Sequence, residues 1–99
     1  MGDRISEDRT VNTVFFLMAQ YGAMAVVPIE LVCRDYFSHL TPLQLQRKIS
    51  AGELALPLVR IEGKSQKAAK GVHIEDLAKW IDARRAAAVK ECDQLCGQC

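Results

Sequence analysis

The sequence predicts a small α+β domain, and three patterns predict it. Apolar residues recur at helical spacing in four separate segments. One of these segments opens with a complete capping signature and is closed by a glycine. Two short runs rich in β-branched residues flank a polar, basic stretch, the pattern of a β-hairpin with a long tip. Ninety-nine residues suffice for one fold, not for two lobes with a cleft between them. The chain is 49% hydrophobic and 25% charged, as soluble globular domains are, and no apolar run approaches the ~20 residues that span a bilayer. The start, Met1 to Arg9, is polar and lacks the apolar segment of a secretory signal, so a cytoplasmic protein with no membrane partner is expected.

Taken in order, residues 1–9 read as a polar tail. From Thr10 to Tyr21, the residues Val11, Val14, Phe15, Met18 and Tyr21 recur at helical spacing, although β-branched Val11, Thr13 and Val14 leave a strand open at its start. Gly22 ends this helix. Ala25-Val26-Val27 reads as a short extended piece, because a residue before proline is pushed toward β geometry. Pro28 suits a first helical turn, and Ile29, Val32, Cys33 and Tyr36 then fall at i, i+3, i+4 and i+7, an amphipathic helix ending near Phe37. After a turn through Ser38-His39-Leu40, Thr41 can cap, Pro42 fits the first helical position and Gln44 completes a capping box. Leu45 and Ile49 share the inward face of this helix, and Gly52 is its expected left-handed stop.

Leu56 to Ile61 reads as a strand, 62–71 as a polar loop and Val72-His73-Ile74 as the returning strand. From Glu75 to about Leu95 runs a long helix, with Glu75 and Asp76 in its first turn and Arg84, Arg85 and Lys90 later, the order the macrodipole favours. Ile74, Leu77 and Ile81 are spaced to pack on the domain and Trp80 widens that contact. The heptad then reaches Arg84 and Glu91, so no long coiled coil is expected. Two short helices joined by a turn and followed by a hairpin form a winged helix-turn-helix. Here it carries an added N-terminal helix and a long C-terminal helix, in one domain over 10–91 with a cysteine-containing tail over 92–99.

The net charge of +1 hides a division. Between residues 42 and 70, six basic residues (Arg47, Lys48, Arg60, Lys64, Lys67, Lys70) face two acidic ones (Glu53, Glu62), a net +4, so the rest of the chain carries −3. A basic centre on a helix-turn-helix and its wing points to double-stranded promoter DNA. The second helix of such a unit lies in the major groove. Its outward residues are Gln44, Arg47 and Lys48, with Thr41 at the cap and Gln46 and Ser50 at the margins. Arginine pairs with guanine and glutamine with adenine, whereas lysine more often meets phosphate. Arg47 is therefore the first choice for base reading, and Gln44 is divided between DNA and its own cap. The wing residues Lys64, Ser65, Gln66, Lys67 and Lys70 are placed to follow the backbone or enter the minor groove. The plainer alternative is an inert scaffold kept soluble by its lysines.

Several segments together resemble a known family. Asn12-Thr-Val-Phe-Phe-Leu-Met-Ala-Gln-Tyr-Gly22, Val32-Cys-Arg-Asp-Tyr-Phe-Ser-His-Leu-Thr-Pro42, Ser65-Gln-Lys-Ala-Ala-Lys-Gly-Val-His73 and Asp76-Leu-Ala-Lys-Trp-Ile-Asp-Ala-Arg84 are similar to the pyocin activator proteins of the PrtN type. These are small bacterial transcription activators of phage-tail-like bacteriocin genes. More loosely, Pro28 through Arg85 looks like the winged helix-turn-helix of excisionases and MerR-type regulators, a fold-level analogy. The resemblance implies sequence-specific promoter binding and activation of bacteriocin or prophage-like genes. It leaves open whether activation recruits RNA polymerase, bends DNA or displaces a repressor. The polar residues before Asn12 and the cysteine-bearing end depart from the family pattern and take no role from it. An excisionase-like architectural protein, and an adaptor whose acidic flanks contact a protein, are the competing functions.

Other motifs point to no enzyme and no cofactor. Gly63-Lys64-Ser65 looks like the end of a phosphate-binding loop, but Leu58 stands where that motif needs glycine and no helix follows. His39 and His73 have no nucleophile that sequence places beside them. Cys33 lies on an apolar stripe and reads as a buried small hydrophobe. Cys92, Cys96 and Cys99 have C-x3-C-x2-C spacing. No resident metal is expected, with zinc or a cluster shared across a dimer, or disulfides, as the open alternatives. Ala83 and Ala86 to Ala88 would permit close helix approach, and a homodimer is expected, as for other regulators that bind two-fold sites.

Overall fold

The computed structural model describes residues 2–62 and 69–97, and of residues 2–11 the backbone alone. The elements follow as α1 (Gly2–Tyr21), β1 (Val26–Pro28), α2 (Ile29–Tyr36), α3 (Pro42–Ser50), β2 (Val59–Arg60), β3 (Lys70–His73) and α4 (Ile74–Cys96). This is the α+β class that the residue patterns predict. The strands form one antiparallel sheet of order β1-β3-β2.

The hairpin is present, with Val59 opposite Gly71 and Arg60 opposite Lys70. Its β2 strand is shorter than the apolar run predicts. Pro57 has no N–H to give a ladder, and Leu56, buried beside it, is turned into the core. The larger difference is on the other edge of β3. There β1 pairs Val26 with His73, Val27 with Val72 and Pro28 with Gly71, making the expected extended piece a third strand. A three-residue strand whose partner lies far along the chain leaves no periodic pattern to read. Pro28 is tolerated in it because β1 is an edge strand. A methyl group on Gly71 would stand 2.6 Å from the Val27 carbonyl oxygen and 2.7 Å from Val26 Cγ1, so only glycine admits β1 this closely.

Two helices spring from this sheet without a linker, α2 directly after Pro28 and α4 directly after His73. The Ile74 N–H donates to the Ala25 carbonyl at 2.9 Å, fastening the start of α4 beside the entry to β1. His73 Nδ1 accepts from the Glu75 N–H at 3.1 Å, so this strand histidine also caps α4. The core draws on every element except β2: Leu17, Val27, Ile29, Val32, Phe37, Leu45, Leu56, Val72, Leu77 and Ala78 are all buried. The Phe37 and Trp80 rings meet with centroids 4.9 Å apart, tilted by 44°.

In α1, Leu17 is the buried residue, with Val14 and Tyr21 packed against the core. Phe15 and Met18, expected to face inward, are instead exposed, and Phe16 is 73% exposed. Val14 to Met18 is apolar on every side, so periodicity alone does not choose a face. The helix also begins at Gly2, before the predicted start, through a polar stretch that offers no apolar spacing to read. The Thr13 hydroxyl donates to Asp82 Oδ1 at 2.7 Å, tying α1 to α4. The Cα radius of gyration is 15.3 Å, against ~13 Å for a compact chain of this length. The two long helices account for the excess, and residues 83–92 of α4 are exposed throughout.

A carboxylate joins α1 to α2. Asp35 accepts from Arg34 Nε at 2.8 Å and Nη2 at 3.1 Å, from the Tyr21 hydroxyl at 2.7 Å and from Gln20 Nε2 at 3.2 Å. The bond from Arg34, and then that from Tyr21, hold the Asp35 carboxyl down to about 2. Burial, with the Asp35 bond adding to it, pushes the Tyr21 phenol up. The Tyr36 hydroxyl donates to Gln20 Oε1 at 2.8 Å, completing the seam.

Gly71→Ala is expected to destabilise the fold by about 1–3 kcal/mol through overpacking between β3 and β1. Urea unfolding reads this, and a midpoint equal to the parent's would refute the close approach. Asp35 is the pH-sensitive contact. A carboxyl held near 2 when folded and titrating at about 3.9 when unfolded stabilises above about pH 4 and loses that contribution as pH falls through about 2. Asp35→Asn therefore flattens the acid limb of stability over that window, and identical limbs in the two proteins would remove Asp35 from this role.

Candidate nucleic-acid interface

The segment 41–53 is written by local signals, and both of its ends are closed. Thr41 Oγ1 accepts from the Gln44 N–H at 3.2 Å while Gln44 Oε1 accepts from the Thr41 N–H at 2.9 Å, with Pro42 in the first turn. At the far end Gly52 adopts φ +77°. Its N–H donates to the Ile49 carbonyl at 3.0 Å, and that of Glu53 to the Lys48 carbonyl at 3.0 Å, the pair of bonds of a Schellman closure. Leu45 is buried and Ile49 packs on the core, which fixes the rotation of α3 about its axis.

The opposite face carries Leu43, Gln46, Arg47 and Ser50. With Ala51, Arg60 of β2 and Lys70 of β3 they line a groove of about 590 Å³ between the helix and the hairpin. Strand register places Arg60 directly opposite Lys70. Like charges at facing positions of an antiparallel pair are unfavourable, and Arg47 brings a third cation from the helix. Arg47 and Arg60 are exposed and make no ion pair among the described residues. Such a groove suits an anion, with guanidinium forks for planar or phosphate oxygens, an amide and a hydroxyl for further hydrogen bonds, and Leu43, 54% exposed, for an apolar contact.

Of the residues singled out in the sequence, Arg47 and Lys70 are brought together in this groove. Lys48 is not among its lining residues. Its Nζ lies 3.2 Å from Glu53 Oε1, an exposed pair of little energetic weight. Thr41 and Gln44 have their side-chain oxygens engaged in the cap, so the divided reading of Gln44 falls on the cap side for that oxygen. Lys64, Ser65, Gln66 and Lys67 lie outside the described residues. Leu43 and Arg60, not among the residues singled out, also line the groove, as do Gln46 and Ser50. The helix residues are legible as the i, i+3, i+4, i+7 set beginning at Leu43. Arg60 has no such signal, since only the register of β2 on β3 carries it to the groove.

The other polar candidates have structural posts. Besides the His73 cap, the His39 ring stands 6.3 Å from that of Phe37. Cys33 is buried, its thiol donating to the carbonyls of Leu40 at 3.0 Å and Phe37 at 3.4 Å, and burial pushes it up. Among the described residues no three His, Cys, Asp or Glu side chains converge as a metal site, and no helix is long and apolar enough to cross a membrane.

Fold and groove together define a small α+β domain that presents a short, doubly closed helix and a basic hairpin on one side. The family model of the pyocin activator protein PrtN matches residues 13–88, and the chain belongs to that family. The match takes in the whole groove and stops short of Cys92. No curated protein and no solved structure gives a significant match to the chain.

Proposed function

We propose that this protein is a sequence-specific DNA-binding activator of pyocin-like or prophage-like genes. It acts as a winged helix-turn-helix with α3 as the recognition helix in the major groove and the β2–β3 hairpin as the wing on the backbone. The observation that carries this reading is the convergence of Arg47, Arg60 and Lys70 on one groove beside the outward face of α3. Family membership supports it. Arg47 is assigned to a guanine edge, Gln46 to an adenine edge and Leu43 to a thymine methyl. Arg60 and Lys70 hold phosphates, and the wing lysines Lys64 and Lys67 extend that contact. Neutralised phosphates release counterions, so binding should weaken steeply with salt.

Footprinting on promoter DNA tests the reading. A discrete protected site is expected, whereas extended cooperative protection would favour an architectural protein and no protection an adaptor. Arg47→Ala should cost about 1–3 kcal/mol in binding and relax specificity at one base position. Arg60→Ala should weaken binding to all sequences alike and lower the salt slope by about 1. If both variants bind as the parent does across several salt concentrations, the interface is placed wrongly.

The activator is further proposed to act as a homodimer on two-fold sites, with the exposed Phe15 and Phe16 of α1 against a second copy. Light scattering of the metal-free protein should give twice the chain mass for the parent and a monomer for Phe16→Glu. A monomeric parent at working concentration removes this assembly.

A further inference from the structure

The cysteines near the end of the chain lie outside both the groove and the family match. Helix α4 runs through Cys96 and is closed by Gly97 at φ +68°, whose N–H donates to the Asp93 carbonyl. Cys92 and Cys96 therefore stand one turn apart on the same helix face, both exposed and free, with their Sγ atoms 3.8 Å apart.

That separation discriminates between the chemistries open to two thiols. A disulfide requires the sulfurs at about 2.05 Å and the Cβ atoms at about 3.5–4.5 Å. Side chains four residues apart on an intact helix hold their Cβ atoms ~5–6 Å apart, so oxidation would have to break the last turn. Four thiolates around zinc at about 2.3 Å define a tetrahedron whose sulfur–sulfur edge is about 3.8 Å. The two sulfurs already stand at that edge length with the helix undisturbed. Among the described residues no third His, Cys, Asp or Glu converges on the pair, so Cys92 and Cys96 supply two of the four corners of a tetrahedron.

We propose that Cys92 and Cys96 form a half-site for a thiophilic dication of the zinc class, completed by the same pair from a second copy. The product is a four-thiolate bridge between two α4 C-termini, lying on a two-fold axis. As each metal–sulfur bond forms, the thiol gives its proton to solvent and its sulfur donates an electron pair to the ion. Four protons leave per ion bound, and no oxidation state changes.

The full chain, reduced and stripped of metal under argon, is titrated with Co2+ as a coloured stand-in and then with Zn2+. A thiolate-to-cobalt charge-transfer band and tetrahedral ligand-field bands are expected, saturating at one ion per two chains and bleached by zinc. Native mass spectrometry should find two chains with one zinc. The Cys92→Ser/Cys96→Ser variant should lose both signals while keeping its helical circular dichroism, and Cys33→Ala and Cys99→Ser should keep them. No charge-transfer band in the parent, saturation at one ion per chain, survival of the band in the double serine variant, or its loss in Cys99→Ser would each overturn the proposal. DNA binding enters none of these readouts, so the groove and the thiolate bridge stand or fall separately.

Discussion

The rest of the molecule depends on the register of β3 between its two neighbours. Val72 lies opposite Val27, and both are fully buried. Because α2 begins at the residue after β1 and α4 at the residue after β3, this one pairing sets where both helices leave the sheet. A slip by a single residue would turn Val27 and Val72 to the other face and rotate both helix starts with them. Gly71 makes the pairing possible by carrying nothing into the space of the Val27 carbonyl. On its other edge the same glycine faces Val59, which puts Arg60 against Lys70. Core and groove are thus two consequences of one strand alignment.

The groove gathers cations from three elements onto one surface. Elsewhere charge is placed to stabilise: Glu75 and Asp76 at the N-terminus of α4, Asp35 receiving four hydrogen bonds, Lys48 beside Glu53. Arg60 and Lys70 face each other on paired strands, and Arg47 joins them from the helix, so three like charges share one groove. The balance of a +4 centre and a −3 remainder extends the point to the whole chain. An acidic surround opposes indiscriminate adsorption to a polyanion, so attraction is concentrated where the geometry of the groove can select.

What was legible in the sequence follows the range of the forces involved. The 41–53 segment could be read almost completely, because a capping box, an N-terminal proline and a left-handed glycine act within a few residues of themselves. The amphipathic α2 was equally plain. The face of α1 was not, since Val14 to Met18 offers apolar side chains in every direction and only the position of α4 selects Leu17. The extended piece at Val26 and Val27 was legible but its pairing was not, for a related reason: these residues meet His73 and Val72 across three intervening elements. Arg60 belongs to the same class. It was counted in the basic centre but not placed at the site, because its position is inherited from a strand pairing. The long C-terminal helix was legible to about Leu95 from its charge order, and Cys96 with the left-handed Gly97 closes it one residue further on.

The two halves of the groove are held with different firmness, and this bears on how such a surface could both choose and grip. Helix α3 is closed at each end and locked in rotation by Leu45 and Ile49, so Leu43, Gln46, Arg47 and Ser50 keep fixed positions relative to the core. The hairpin is closed on itself by a short ladder, the pairs Val59–Gly71 and Arg60–Lys70 and the Ile61 N–H to Ala69 carbonyl bond at 2.8 Å, and of its two strands β3 alone pairs with the body, through β1. Hydrogen bonds to base edges lose their value with small displacements, whereas attraction between a cation and a phosphate falls off slowly with distance. On the proposed reading, discrimination therefore belongs to the helix and adjustment to the hairpin. Arg60 and Lys70, at the root of the hairpin and beside the helix, are the residues through which one constrains the other.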